Sequence, residues 1–353
     1  MAGDLLEVVA PGLLSTIQDV GRFDHRDEGV PVAGACDPVG LAVANAVLGN
    51  AMDAAAIECT ILGPELLVLA DTVVGLGGAD LEITLEPGTR RLAPGRAHRV
   101  DAGDRLVSGT GPGIEGCRAY LAVRGGLDVP VVLGSRSTSL VGAFGGIEGR
   151  PLRAGDRLRA LETPGGRADP TARWPGPLTP RPASAPLRVL PGLEGVAPAA
   201  DGRRRAELAR ALFEARWRIA AASDRRGLRL EGPSIQIAAH RDARPGPRPA
   251  AAAAASHGVL PGTIQLTPSG QPLILLNDAG TTGGYPVIGV VIAADLWQLG
   301  QARPGSWIEF QATTVAIARA SAAAQRDWLG AAAERILAAS DDAWDDLADD
   351  ARG

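Results

Sequence analysis

The residues able to do chemistry on a small molecule fall into a few dense polar segments. Ser15-Thr-Ile-Gln-Asp-Val-Gly-Arg22 places an amide, a carboxylate and a guanidinium (Gln18, Asp19, Arg22) within five residues, a mixture that can orient and polarise a carbonyl compound. Arg124-Gly125-Gly126 and Gly134-Ser135-Arg-Ser137-Thr138 pair glycines and hydroxyls with arginine. Bare glycine backbone lets N–H groups approach an anion or a carbonyl closely, and a neighbouring arginine completes an oxyanion or phosphate cradle. In the second half Arg229 and Glu231 share one face of an alternating strand, and Gln265, Asp278 and Thr281-Thr282-Gly-Gly284-Tyr285 bring an amide, a carboxylate, hydroxyls and a phenol near a glycine pair. A capped turn, tight loops at a barrel rim and a surface ion-pair ladder explain the Gln18, Gly125 and Arg229 segments equally well. A hairpin turn explains Gly283-Gly284 but not Thr281, Thr282 and Asp278 together.

Other chemistry is excluded. The chain of 353 residues contains no lysine, all 35 basic residues being arginine, so a P-loop lysine, a Schiff-base lysine and a lysine carrying covalent biotin are all impossible. Gly111-Pro-Gly-Ile-Glu-Gly116 has the letters of a dinucleotide fingerprint, but Cys117 to Val123 reads as a strand where that motif needs a helix. No Gly-x-Ser-x-Gly elbow exists, and the four histidines have no metal-ligand spacing, so no metal site is expected. The three scattered cysteines, Cys36, Cys59 and Cys117, read as buried thiols. A net charge of −5 with no basic face speaks against nucleic acid. No apolar run approaches the roughly 18 residues of a membrane span and no basic-then-apolar leader is present, which predicts a cytoplasmic protein with no membrane partner.

The elements that must hold these groups are mostly strands. With 46 glycines and 27 prolines, turn signals cut the apolar pattern into short runs. Strands are predicted at Leu5 to Val9, Leu66 to Leu69, Leu81 to Glu86, Ala119 to Val123, Leu187 to Leu190, Ile235 to Ala238, Ile264 to Thr267 and Leu273 to Leu276, a spacing that suggests barrels. The clearest helix follows Asp37-Pro38, with Asp as N-cap, Pro at the first position and Gly49 as terminator, about eleven residues long and carrying Asn45 on its apolar side. A second helical stretch runs from Val315 to Ala339, followed by an acidic tail that reads as frayed. Seven prolines between Glu162 and Pro186 mark a linker, giving domains at 1–162 and 187–312, a linker at 163–186 and a C-terminal helix and tail at 313–353. Arg241 to Ala255 reads as a surface insertion.

The ordered motifs Pro11-Gly-Leu-Leu-Ser-Thr-Ile-Gln-Asp-Val-Gly-Arg22, Gly29-Val-Pro, Ala44-Asn45, Ala56-Ile-Glu58, Arg124-Gly-Gly, Gly134-Ser-Arg-Ser-Thr, Arg229-Leu-Glu-Gly-Pro, Pro261-Gly-Thr-Ile-Gln and Thr281-Thr-Gly-Gly-Tyr-Pro resemble the biotin-dependent carboxyltransferase-like family over about residues 5 to 320. That family includes the C subunit of 5-oxoprolinase, proteins named allophanate hydrolase subunit 2, the Kip-type antagonist of a kinase inhibitor, and the matching region of urea carboxylase. The resemblance implies a mainly β fold with a few helices, in two cyclophilin-like β-barrel domains. It implies a hydrolase of cyclic amides that opens 5-oxoproline or a related small amide with ATP, beside a subunit-B-like partner and possibly a subunit-A-like one. Two alternatives stay open: carboxyl transfer from carboxybiotin to a urea-like amide, and a non-catalytic regulator. On the enzyme reading, Arg124 with the Gly125 and Gly126 amides would stabilise a developing oxyanion or phosphoryl group, and Asp19 or Asp278 would position or deprotonate the nucleophile. Gln18, Arg22, Asn45, Ser135, Ser137, Thr138, Arg229, Gln265, Thr281, Thr282, Gly284 and Tyr285 would contact substrate. The chain departs from the family pattern at His257, Gly280, Val287 and Arg226-Gly227-Leu228, where an acidic residue, a glutamine, a lysine and Met-Gly-Tyr are usual.

Overall fold

The computed structural model describes residues 3–88, 90–109, 111, 114–161, 171–192, 210–235 and 256–350, with 340–350 described by backbone alone. The chain is mainly β with a few helices and divides into two units, residues 1–23, 33–181 and 324–353 in the first, 24–32 and 182–323 in the second.

The first unit holds β1 (Leu6–Ala10), β2 (Leu14–Gln18), α1 (Pro38–Ala46), β3 (Ala56–Thr60), β4 (Glu65–Val68), β5 (Thr72–Gly78), β6 (Thr84–Glu86), β7 (Arg90–Arg91), β8 (Arg96–Val100), β9 (Arg105–Val107), β10 (Arg118–Val123) and β11 (Arg157–Leu158). They form two sheets, in the orders β11-β1-β4-β9-β6-β7 and β2-β3-β10-β5-β8. Leu6, Val8, Ile17, Ile57, Leu66, Val74, Leu106 and Leu121 fill one core. Helix α1 begins as expected: Asp37 Oδ1 accepts the Gly40 N–H at 2.8 Å and Pro38 occupies the first turn. It is nine residues long, shorter than the spacing predicts, because the chain leaves the helix at Val47 and turns at Gly49 (φ 67°). Glycine permits its seat on β5: a Cβ at Gly75 would lie 2.2 Å from Ala44 O, and one at Gly77 2.1 Å from Gly40 O.

The second unit holds β12 (Leu187–Pro191), β13 (Trp217–Ile219), β14 (Gly227–Glu231), β15 (His257–Gly258), β16 (Thr263–Leu266), β17 (Pro272–Leu275), β18 (Thr282–Gly283), β19 (Val287–Val291), α2 (Leu296–Gln301), β20 (Trp307–Ile308) and β21 (Phe310–Ala312). Its main sheet has eight strands in the order β20-β13-β14-β17-β16-β19-β12-β21. The two edge strands, β20 and β21, are separated in the chain only by Glu309, so the sheet must curl until its edges meet, which makes it barrel-like. Trp217, Ile264, Ile274 and Phe310 lie in its core.

The structure differs from the sequence pattern, or adds to it, at several places. The Leu81 to Glu86 alternation yields only the short β6, because Glu82 takes a left-handed conformation (φ 51°), although Leu81, Ile83 and Leu85 are all buried. The last helix, α3 (Val315–Asp350), continues through the acidic tail that reads as frayed, and the short α2 is a helix that the sequence pattern does not announce. Residues 171–181, assigned by composition to the linker, group with the first unit, where Trp174 is buried. Residues 24–32 group with the second unit and 324–353 with the first, divisions that composition does not mark. Ala238 of the expected Ile235 strand and the Arg241 to Ala255 stretch lie outside the described residues.

Candidate functional site

In the first unit, β2 ends at Gln18 and delivers Asp19 into the turns of residues 132–139. The Asp19 carboxylate accepts from Ser137 Oγ at 2.5 Å, Ser135 Oγ at 2.6 Å, Arg136 N at 2.6 Å and Gly21 N at 2.8 Å. Its own N–H donates to Ser137 Oγ at 2.9 Å. Arg22, buried, donates through Nε to Val132 O at 3.0 Å and through Nη2 to Ser137 O at 2.5 Å, and stacks 4.8 Å over the Phe144 ring. The structure therefore brings Gln18, Asp19, Arg22, Ser135, Ser137 and Thr138 together but gives most of them another job. A carboxylate already holding four donors is a poor base for a nucleophile's proton, and Asp19 is the fastener that shapes two loops. Gln18 donates to Thr16 Oγ1 at 2.9 Å and Thr138 O at 3.2 Å, while its buried Oε1 and the buried Thr138 Oγ1 have no partner among the described residues.

Asn45 is likewise structural. Its Nδ2 donates to Ala54 O at 2.8 Å and Leu41 O at 3.3 Å, and its Oδ1 accepts from Asn50 Nδ2 at 3.0 Å. Asn50 Oδ1 in turn accepts the Gly125 N–H at 2.8 Å, and the Gly126 N–H donates to Val123 O at 2.9 Å. Both amides of the expected cradle are thus engaged within the fold, so a phosphate or oxyanion does not fit that turn. Arg124 is half-buried, and its side chain has no ion pair among the described residues.

Sequence reasoning missed a buried polar network beside α1. The Tyr120 hydroxyl donates to Glu58 Oε2 at 2.7 Å and accepts the Asp37 N–H at 2.8 Å; Cys36 N–H donates to the same Glu58 oxygen at 2.9 Å, and Arg118 Nε lies 3.4 Å from Glu58 Oε1. Burial, then the Glu58 charge, pushes the Tyr120 phenol well above its usual range, so it stays a donor. The signal available in the sequence was a charged residue inside the apolar run Ala56 to Cys59, opposite a rare tyrosine.

In the second unit, Asp278 meets a partner that sequence reasoning also missed. Arg225 Nε donates to Asp278 Oδ2 at 2.9 Å and Nη2 to Oδ1 at 3.1 Å, with both side chains 2% exposed. A buried bidentate pair holds Asp278 as a structural anion rather than a base. Arg229 and Glu231 share the exposed face of β14, as alternation predicts, with Glu231 3.5 Å from Arg218.

The other residues of this unit singled out in the sequence lie at the β15–β18 ribbon and at Gln265. His257 pairs with Gly283 and Gly258 with Thr282, and Val259 N–H donates to Thr281 O at 3.0 Å. Arg26, from the 24–32 segment, donates through Nη2 to Val259 O, and burial lowers its pKa. Beneath the ribbon lies the Gln265 carboxamide: its Nε2 is buried without a partner among the described residues, and a Cβ on Gly283 would come within 2.3 Å of it. Beside it, the Thr282 side chain and the Tyr285 ring, 42% exposed, are open to solvent, with Gly284 between them half-buried. A buried N–H donor without an acceptor is costly, and a carbonyl oxygen is the kind of acceptor that would satisfy it. Among the described residues no group of three or more His, Cys, Asp or Glu could hold a metal, and no helix is long and apolar enough to cross a membrane.

Residues 28–312 match the family described as carboxyltransferase domain, subdomain A and B. The chain is 35% identical over 310 residues to the C subunit of 5-oxoprolinase from Escherichia coli (strain K12), covering 87% of this chain and 90% of that protein. It is 34% identical to urea amidolyase of Lachancea kluyveri, covering 89% of this chain but only 17% of the relative. The solved urea carboxylase of Kluyveromyces lactis superposes with a TM-score of 0.75 at 30% identity, over 90% of this chain and 28% of that one.

Proposed function

We propose, from the premise that the chain belongs to this carboxyltransferase-domain family, that it is a subunit of an ATP-dependent 5-oxoprolinase-type complex that opens 5-oxoproline or a related small amide. The observation that carries the reading is the buried Gln265 Nε2 beneath Gly283, a donor with no partner among the described residues. Its N–H binds the carbonyl oxygen and strengthens its hold as negative charge develops there during ring opening. Thr282 and Tyr285 add hydroxyls at the ribbon. ATP turnover is assigned to the assembled complex, with a subunit-B-like and a subunit-A-like partner, and not to the Gly125–Gly126 turn, whose amides are engaged.

The test is reconstitution with both partner subunits and measurement of ADP and glutamate from 5-oxoproline. Gln265→Leu should lower turnover by about 10²–10³-fold with its fold intact. Urea-dependent consumption of carboxybiotin on a separate carrier, with 5-oxoproline inert, would instead favour carboxyl transfer, which the likeness to urea amidolyase supports. A complex that assembles but turns over neither amide would overturn both and leave the regulator.

A further inference from the structure

A cavity in the first unit is lined by none of the residues assigned to substrate. Residues 171–178 run along the outer edge of β8: Arg173 bridges Arg96, Ala97 N–H donates to Ala172 O at 2.9 Å, and Trp174 N–H donates to Gly95 O at 2.8 Å. The Trp174 indole N–H is satisfied by Pro177 O at 2.9 Å, and its ring meets Trp328 of α3 edge-on with centroids 5.2 Å apart. Between this segment and the following turns of α3 opens a cavity of about 640 Å³, walled by Arg173, Trp174, Pro175, Gly176, Arg335 and Ile336. That volume lies in the range small organic ligands occupy.

Electrostatics give the sign of the ligand. Arg173 stands directly across from Arg96, and like charges in that position repel. Neither of them, nor Arg335, has a carboxylate partner among the described residues. On the same strand His98 is held below its usual range, first by burial and further by the charges of Arg90 and Arg96. Two cations on the wall of a concave, tryptophan-lined space, Arg173 and Arg335, with no carboxylate partner among the described residues, match an anion with a flat or apolar portion. The family match ends at residue 312, so the α3 wall lies outside the residues that the family model matches.

We propose that this cavity binds a small organic anion, its carboxylate or phosphate clamped by Arg173 and Arg335 and its remainder lying against Trp174. The test titrates the purified full chain separately with glutamate, ADP and inorganic phosphate, followed by calorimetry and tryptophan emission. Saturable binding of at least one probe is expected, with Kd on the order of 1 mM or tighter. Binding of glutamate without phosphate, or the reverse, identifies the oxyanion. Arg173→Gln and Arg335→Gln should each weaken binding by about tenfold or more. Both positions are exposed, so melting temperatures should hold or rise without ligand. No saturable binding of any probe, or binding indifferent to both substitutions, overturns the proposal. Amide turnover is not the readout, so this result and the subunit assignment stand or fall separately.

Discussion

The buried Arg225–Asp278 pair separates a structural carboxylate from a catalytic one. Asp278→Asn keeps the side-chain shape but removes the charge that holds two guanidinium bonds of 2.9 and 3.1 Å, in a place where each partner is 2% exposed. Breaking a pair of this kind removes the charge opposite a buried guanidinium and is expected to cost about 3–5 kcal/mol. With a urea m-value of about 2 kcal/mol/M, the unfolding midpoint of the second unit should fall by roughly 1.5–2.5 M. The fully buried Trp217 and Trp297 report that transition by fluorescence. The double substitution Arg225→Met, Asp278→Leu should recover much of the loss, because it removes both charges at once. The reasoning is refuted if Asp278→Asn unfolds at the wild-type midpoint while turnover disappears; Asp278 would then act on substrate.

Burial, then the neighbouring Glu58 charge, pushes the Cys59 thiol up to about 12, so native Cys59 should resist a thiol reagent at pH 8 and label only on unfolding; rapid native labelling would contradict this. Asp156 sits below the usual carboxylate range because Arg150 pairs with it at 2.8 and 2.9 Å. A lowered folded value gives stability that is present above the ordinary carboxylate pKa of about 4 and lost as pH falls through the folded value. Asp156→Asn should remove about 1.5–3 kcal/mol at neutral pH and flatten the acid limb, measured by denaturation between neutral and acidic pH. Gly77→Ala places a methyl 2.1 Å from Gly40 O, so α1 must lift from β5; a melting temperature within error of wild type would show the close approach to be relaxed at no cost.

The strand-rich character, the Asp37-capped start of α1, the exclusion of lysine chemistry and the family were legible in the residues themselves. Each rests on local rules: turn signals cut the apolar runs, an Asp-Pro pair starts a helix, and ordered motifs survive whatever the packing. The employment of each polar side chain was not legible, because it is decided by partners far along the chain. Asp19 meets serines more than 110 positions away, Asp278 meets Arg225 across 53, and the Gly125 amide meets Asn50 across 75. A carboxylate, an amide and a guanidinium look alike in sequence whether they face a substrate or fasten two loops. Only tertiary packing determines which buried groups find a partner and which, Gln265 Nε2 among them, find none among the described residues.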